Sequence, residues 1–147
     1  MKTPHLKINI RKNIYPTSKL PEGYTVTLID VADLTPTDRE NWRRIQLQRE
    51  NVKTHHKLRL PEQGLASFAK YHGELIGCGC MEHISDDTVE SKHLMILPDH
   101  RRKGIFKALM KLVWQYSYLN GYTWINLSPV VQANFWKRHG AEIGWVT

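Results

Sequence analysis

The 147 residues carry a net charge of +7, with 41% hydrophobic and 24% charged side chains. These proportions exclude disorder as the default state, and no run of about 18 apolar residues is present to cross a membrane. The length suits one folded unit with a buried core, and the positive balance favours an anionic partner: nucleotide, nucleic acid or anionic surface.

Met1 to His5 leads into no apolar signal core, so the chain is read as cytoplasmic. Leu6, Ile8 and Ile10 alternate with polar neighbours, which predicts a short strand. Pro16 to Gly23 is rich in turn formers. Residues 1–22 therefore read as an N-terminal strand and connector within a single domain over 1–147. Tyr24 to Ile29 alternates again and predicts a second strand. A helix start follows, with Thr35 as N-cap, Pro36 in the first turn and Asp38 where the helix dipole favours an anion. Trp42, Ile45, Arg49 and Val52 give that helix a thin apolar stripe.

Leu65 to His72 and Leu75 to His83 are strand-like runs joined at Gly73-Glu74, a hairpin signal. Cys78 and Cys80 sit on one face of the second run. A bond between them would strain the backbone, and no further cysteine pair completes a zinc site, so no metal is expected. Val89 to Leu97 is a further strand, stopped by Pro98. From Gly104 to Asn120 the period changes, and Ile105, Leu109, Leu112, Tyr116 and Leu119 mark one face of a long helix. Tyr122 to Leu127 predicts a strand, Pro129 to Arg138 a short helix, and Ala141 to Thr147 a last strand. A strand, a long helix and a strand form a crossover, so those two strands are expected parallel, while the earlier hairpin is antiparallel. The class is α+β of the α/β type, built on a mixed, mostly antiparallel sheet flanked by helices.

The segment from Leu94 to Leu109 carries the chemistry. A strand ends at Pro98, a basic turn Arg101-Arg102-Lys103 follows, and Gly104 opens a helix. The first turn of a helix presents backbone N–H groups and the positive end of the dipole. Gly104 lets a phosphate approach the backbone. This is an anion site by construction.

The segment also resembles the GNAT acyltransferases, whose signature Gln/Arg-x-x-Gly-x-Gly/Ala ends a strand and opens a helix. Arg101 and Gly104 match, while Phe106 stands where the last residue is usually small. Pro98 and Ala108-Leu109 fit the flanking context. Ala133 to Ala141 is similar to the family's late helix: Gly140 matches its glycine, and Trp136 falls where a tyrosine usually serves as general acid. The resemblance implies a central sheet whose parallel strands splay apart to make an acyl slot. It implies acetyl-CoA as donor and direct transfer to a primary amine, through an oxyanion held by a strand N–H. The backbone at Met95, Ile96 and Leu97 would pair with the pantetheine arm. Arg101, Arg102, Lys103, Gly104, Ile105, Phe106 and Lys107 would hold the pyrophosphate.

An attacking amine must lose a proton and the departing thiolate must gain one. An indole N–H is no acid near pH 7, so Trp136 is expected to pack. Tyr122, Ser128 and His139 are the candidates for the acid. Glu82, His83, Glu90 and His93 are candidates for the base, with Glu90 first because its strand leads into the cofactor segment, and His93 second.

Arg39, Arg43, Arg44, Arg49, Lys53, Lys57 and Arg59 face only Glu40 and Glu50 in that stretch. A solvated helix explains this, and so would a nucleic-acid-bearing substrate. Glu82 to Glu90 holds four acidic residues and no Lys or Arg, which suits an amine or simply a polar hairpin. Two alternative functions remain beside the acetyltransferase: a nucleic-acid-directed relative, and an inactive GNAT-like binding module. Finally, only seven residues follow Gly140, room for one strand where the family usually places two. Either the N-terminal strand or a second subunit must cover the remaining edge, and a homodimer is the favoured expectation.

Overall fold

A computed structural model describes residues 3–16, 19–48, 58–127, 137–138, 140 and 142–146. In chain order the strands are β1 (Thr3–Asn9), β2 (Tyr24–Asp30), β3 (Gly64–Tyr71), β4 (Glu74–His83), β5 (Thr88–Ile96), β6 (Trp124–Leu127) and β7 (Glu142–Val146). Helix α1 (Pro36–Gln46) lies between β2 and β3, and α2 (Ile105–Leu119) between β5 and β6. The strands form one sheet in the order β2-β3-β4-β5-β6-β1-β7. Among the described strands only the β5–β6 pair is parallel.

Local chemistry sets the helix starts. Thr35 Oγ1 accepts from the Asp38 amide at 3.1 Å while Asp38 Oδ2 accepts from the Thr35 amide at 3.2 Å, a reciprocal capping box. Helix α1 ends at Gln46, and its buried residues are Trp42, Ile45 and Gln46. Arg49 and Val52, assigned above to its apolar stripe, lie outside the described residues. The β3–β4 turn is His72-Gly73 rather than Gly73-Glu74, because both residues adopt positive φ, 47° and 85°. That is the hand a two-residue hairpin needs, and histidine tolerates it better than a branched residue does.

The buried face of α2 keeps the predicted Ile105 and Leu109 but is turned from the rest of the predicted stripe. Leu109, Met110, Val113, Trp114 and Ser117 are buried, whereas Leu119 is 82% exposed. The buried side packs against the sheet, and the N-terminal connector covers part of it. Tyr15 packs edge-on against Trp114 with centroids 5.3 Å apart, and its hydroxyl donates to the Lys107 carbonyl at 2.6 Å. Burial there holds the Tyr15 phenol well above its ordinary pKa.

Two cores flank the sheet. On the α2 side, Leu6, Ile8 and Ile10 pack with Met81, Val89, Val113 and Ile125. On the α1 side, Trp42 and Ile45 pack with Phe68, Cys78, Cys80 and Met95. Of the two ways to complete the sheet, the chain's own N-terminal strand is the one observed. Strand β1 runs antiparallel between β6 and β7, pairing Ile8 with Ile125 and Leu6 with Ile143. The edge argument for a homodimer loses its premise at this position.

Candidate active site

Strand β5 changes partners along its length. Its first four residues, Thr88 to Ser91, pair with Trp124 to Leu127 of β6. Beyond Ser91 and Leu127 the register ends, and β5 continues to Ile96 paired only with β4 among the described residues. Among the described residues, the parallel register with β6 extends as far as Ser91.

A bulge marks the same level. Cys78 lies opposite Met95 and Cys80 opposite Lys92, so β5 spends one residue more than β4 over this step. His93 takes up the excess with φ of 60°. Helix α1 grips the distortion from above. The Gln46 Nε2 donates to the His93 carbonyl at 2.6 Å and to Cys78 Sγ at 3.2 Å. The Trp42 indole donates to the Gly79 carbonyl at 2.8 Å, on the strand facing the bulge.

The end of β5 leads into the basic turn. Pro98–His100 forms a single 3-10 turn, and Arg101 to Gly104 then reverses the chain into α2. Arg102 and Gly104 both adopt positive φ, 63° and 83°. A non-glycine residue in that region stores about 1–3 kcal/mol, so the turn is held in shape by its surroundings. Two braces do this. Arg101 folds back, its Nε donating to the Ile96 carbonyl at 2.8 Å. On the other side Tyr24 and His100 share a hydrogen bond of 2.7 Å, with the Tyr71 ring packed against both. The first helical bond of α2 runs from the Ala108 amide to the Gly104 carbonyl at 3.1 Å. The first turn of α2, at Ile105, Phe106 and Lys107, where a helix carries the positive end of its dipole, follows directly on Arg101, Arg102 and Lys103, which are exposed. Phe106 is half-buried against the α2-side core, which gives a physical reason for a large residue there.

On the α1 face, next to the bulge, lies an ion-pair cluster. Lys92 Nζ is 2.7 Å from Glu82 Oε1 and 3.6 Å from Glu90 Oε1. Burial pulls the Lys92 pKa down, but its hydrogen bond to Glu82 and the two carboxylate charges outweigh that and raise it. Cys80, opposite Lys92, is buried, and desolvation pushes its thiol up to about 12. Since the thiolate is the reactive form, native protein at pH 8 should leave Cys80 unmodified by a thiol reagent, while denatured protein should expose both cysteines. Rapid labelling of Cys80 in the folded state would contradict this burial.

The other candidates are dispersed. His83 lies on the opposite face from Glu82, sharing a 2.6 Å hydrogen bond with Tyr122 and stacking on its ring. Tyr122 lies two residues before Trp124, the first β6 residue paired with β5. His93 sets its ring edge-on to Trp42 with centroids 6.4 Å apart. Ser128, Trp136 and His139 lie outside the described residues. In the basic stretch, Arg39 donates to the Val31 carbonyl at 2.7 Å, whereas Arg43, Arg44 and Arg59 are exposed. Arg49, Lys53 and Lys57 lie outside the described residues. Lys92 and Gln46 were not singled out from sequence. The bulge left a trace there: the α2-facing positions of β5 run Val89, Ser91, Leu94, Ile96, with one step of three among steps of two.

A family model, the acetyltransferase (GNAT) domain, matches residues 63–140, just over half of the chain. The chain belongs to the GNAT acetyltransferase family. The match covers the bulged strand, the basic turn and α2. Among solved structures, a GCN5-related N-acetyltransferase from Kribbella flavida aligns over 97% of this chain and 54% of its own, at TM-score 0.64 and 19% identity. A GNAT family acetyltransferase from Elizabethkingia anophelis with acetyl-CoA bound aligns over 80% and 75%, at TM-score 0.57 and 20% identity. Ribosomal-protein-alanine N-acetyltransferase from Brucella melitensis biovar Abortus 2308 aligns over 86% and 96%, at TM-score 0.61 and 18% identity. The chain spans about half the length of the Kribbella flavida structure. No curated protein matches the sequence. The GNAT fold is thus shared at low identity. No described helix is long and apolar enough to cross a membrane.

Proposed function

We propose that this GNAT-family chain, as one unit over 1–147, transfers an acetyl group from acetyl-CoA to a primary amine by direct attack. The observation that carries the reading is the braced basic turn from Arg101 to Gly104, which follows the end of β5 and opens α2. The pyrophosphate lies on the first-turn amides, with Arg102 and Lys103 adding full charge. The pantetheine arm runs back along Met95 to Leu97 as an added strand. This brings the thioester to the bulged part of β5. The amine attacks the thioester carbonyl, the tetrahedral intermediate collapses, and the C–S bond breaks to release CoA.

The proton leaves the amine through the Glu82–Lys92–Glu90 cluster. Its two carboxylates share one ammonium, so one of them can accept a proton while Lys92 stays paired with the other. Glu90 is the base in this reading, since its strand continues into the bulge. Glu90→Gln should lower kcat by about 100-fold, within the range general-base catalysis supplies, and leave CoA affinity within about threefold. Equal turnover by the Gln variant would remove Glu90 from the mechanism.

The whole reading is tested by titrating the protein with CoA in a calorimeter, then following thiol release from acetyl-CoA across a panel of primary amines. Saturable CoA binding with acetylated product identified by mass spectrometry is the expected result. A protein that binds no CoA overturns the reading, and one that binds CoA but acetylates no amine reduces it to a CoA-binding module.

A further inference from the structure

The bulge at His93 is held by a side chain on another element. Gln46 is fully buried, and an uncompensated amide there would cost on the order of 1–3 kcal/mol. Its Nε2 donates to the His93 carbonyl at 2.6 Å. In an ordinary strand a carbonyl lies in the plane of the sheet and serves the ladder. Here it is turned out of that plane towards α1. A trans peptide is rigid and planar, so fixing its carbonyl fixes the whole unit joining His93 to Leu94. The positive φ of His93, 60°, is the strained conformation this orientation requires. The Trp42 indole, one helical turn earlier, fixes the facing strand at Gly79. Two donors at i and i+4 on α1 thus clamp both sides of the distortion.

The clamp sits where the chemistry would take place. His93 lies two residues past Ser91, the last β5 residue paired with β6 among the described residues. It lies four residues before Leu97, about 13 Å at ~3.3 Å per residue, the stretch along which an extended arm would carry a thioester back from the basic turn. Resting on the acetyl-CoA reading above, we infer that Gln46 is a positioning residue for acyl transfer. It holds the bulged backbone in the orientation that polarises the thioester carbonyl, and it touches neither substrate nor cofactor. Removing it should disturb the acyl carbonyl while leaving the pyrophosphate site, at the far end of β5, intact.

The probe is acetyl-CoA labelled with carbon-13 at the carbonyl, read by difference infrared spectroscopy, with calorimetry on unacetylated CoA alongside. In the native protein the carbonyl band should move to lower frequency on binding. In Gln46→Met, which keeps the length and loses the donor, most of that shift should vanish while the CoA dissociation constant stays within about threefold. Gln46→Asn, which keeps the amide but falls one methylene short, should behave the same way, and carries the test if the Met variant does not fold. An unchanged band in either folded variant overturns the assignment, as does a native complex with no band shift. A native protein that binds no CoA overturns the acetyl-CoA reading itself, which separates the two failures.

Discussion

Deleting residues 1–12 should abolish cooperative folding. Strand β1 is interior to the sheet, pairing antiparallel with β6 on one side and β7 on the other. Its side chains Leu6 and Ile8, with Ile10 just beyond it, are 2%, 0% and 1% exposed. Burying an aliphatic side chain is worth roughly 1.5–3 kcal/mol, so these three alone represent about 5–9 kcal/mol, against total stabilities of about 5–15 kcal/mol for ordinary domains. Two ladders of backbone hydrogen bonds are lost with them. Arg11 would go too, and it donates to the carbonyls of Tyr122 and Tyr118 at 2.9 and 2.6 Å, closing the end of α2 against the start of β6. The measurement is circular dichroism on heating. A sharp transition within a few degrees of the intact protein would show that β1 is dispensable. The point substitution Ile8→Ala, expected to cost about 2–5 kcal/mol, gives a graded version of the same test.

Local signals were legible where one residue type has one cheap conformation. Thr35 capped α1 with Asp38 in the first turn as expected, and Gly104 opened α2 where the anion motif required it. The outer strand runs were legible because alternation is a period of two, whereas β3 and β4, buried on both faces, were legible as apolar runs around a turn. What failed was decided by long-range contact. The face of α2 is set by its packing on the sheet and by Tyr15, which lies 99 residues before Trp114 and packs against it. No helical periodicity contains that information. The place of β1 was likewise one of two alternatives, since pairing between β1 and β7 joins opposite ends of the chain.

The site divides in the same way. The basic turn was legible because charge, glycine and helix start are adjacent in sequence. The carboxylates Glu82 and Glu90 were legible as candidates, but Lys92 between them was not, because a lysine on a half-buried strand reads as solvated. Gln46 was hidden for another reason. A glutamine at the end of a charged helix reads as exposed, and only the fold places it 2.6 Å from a strand carbonyl.

Replacing Gly104 with valine should weaken CoA binding at least tenfold, equivalent to about 1.4 kcal/mol. Space is not the obstacle: a Cβ on Gly104 would meet only the Lys19 carbonyl oxygen, at an ordinary 3.7 Å. The obstacle is the backbone. Gly104 is the N-cap of α2 at φ of 83°, a left-handed conformation that costs an ordinary L-residue roughly 1–2 kcal/mol and a β-branched one more. Valine relieves this by rotating the peptide on either side, which turns the first-turn amides away from where a pyrophosphate would lie. Arg102, already at φ of 63°, cannot absorb the change without moving its own charge. Gly104→Ala, with one methyl and no branch, should lose less, and Gly104→Asn, which tolerates the left-handed region, less again. Calorimetric titration with CoA gives the three constants, and thermal melting checks that each variant is folded. That order, with valine weakest, is what a backbone cradle requires. Equal affinities across the series would place the pyrophosphate away from this turn.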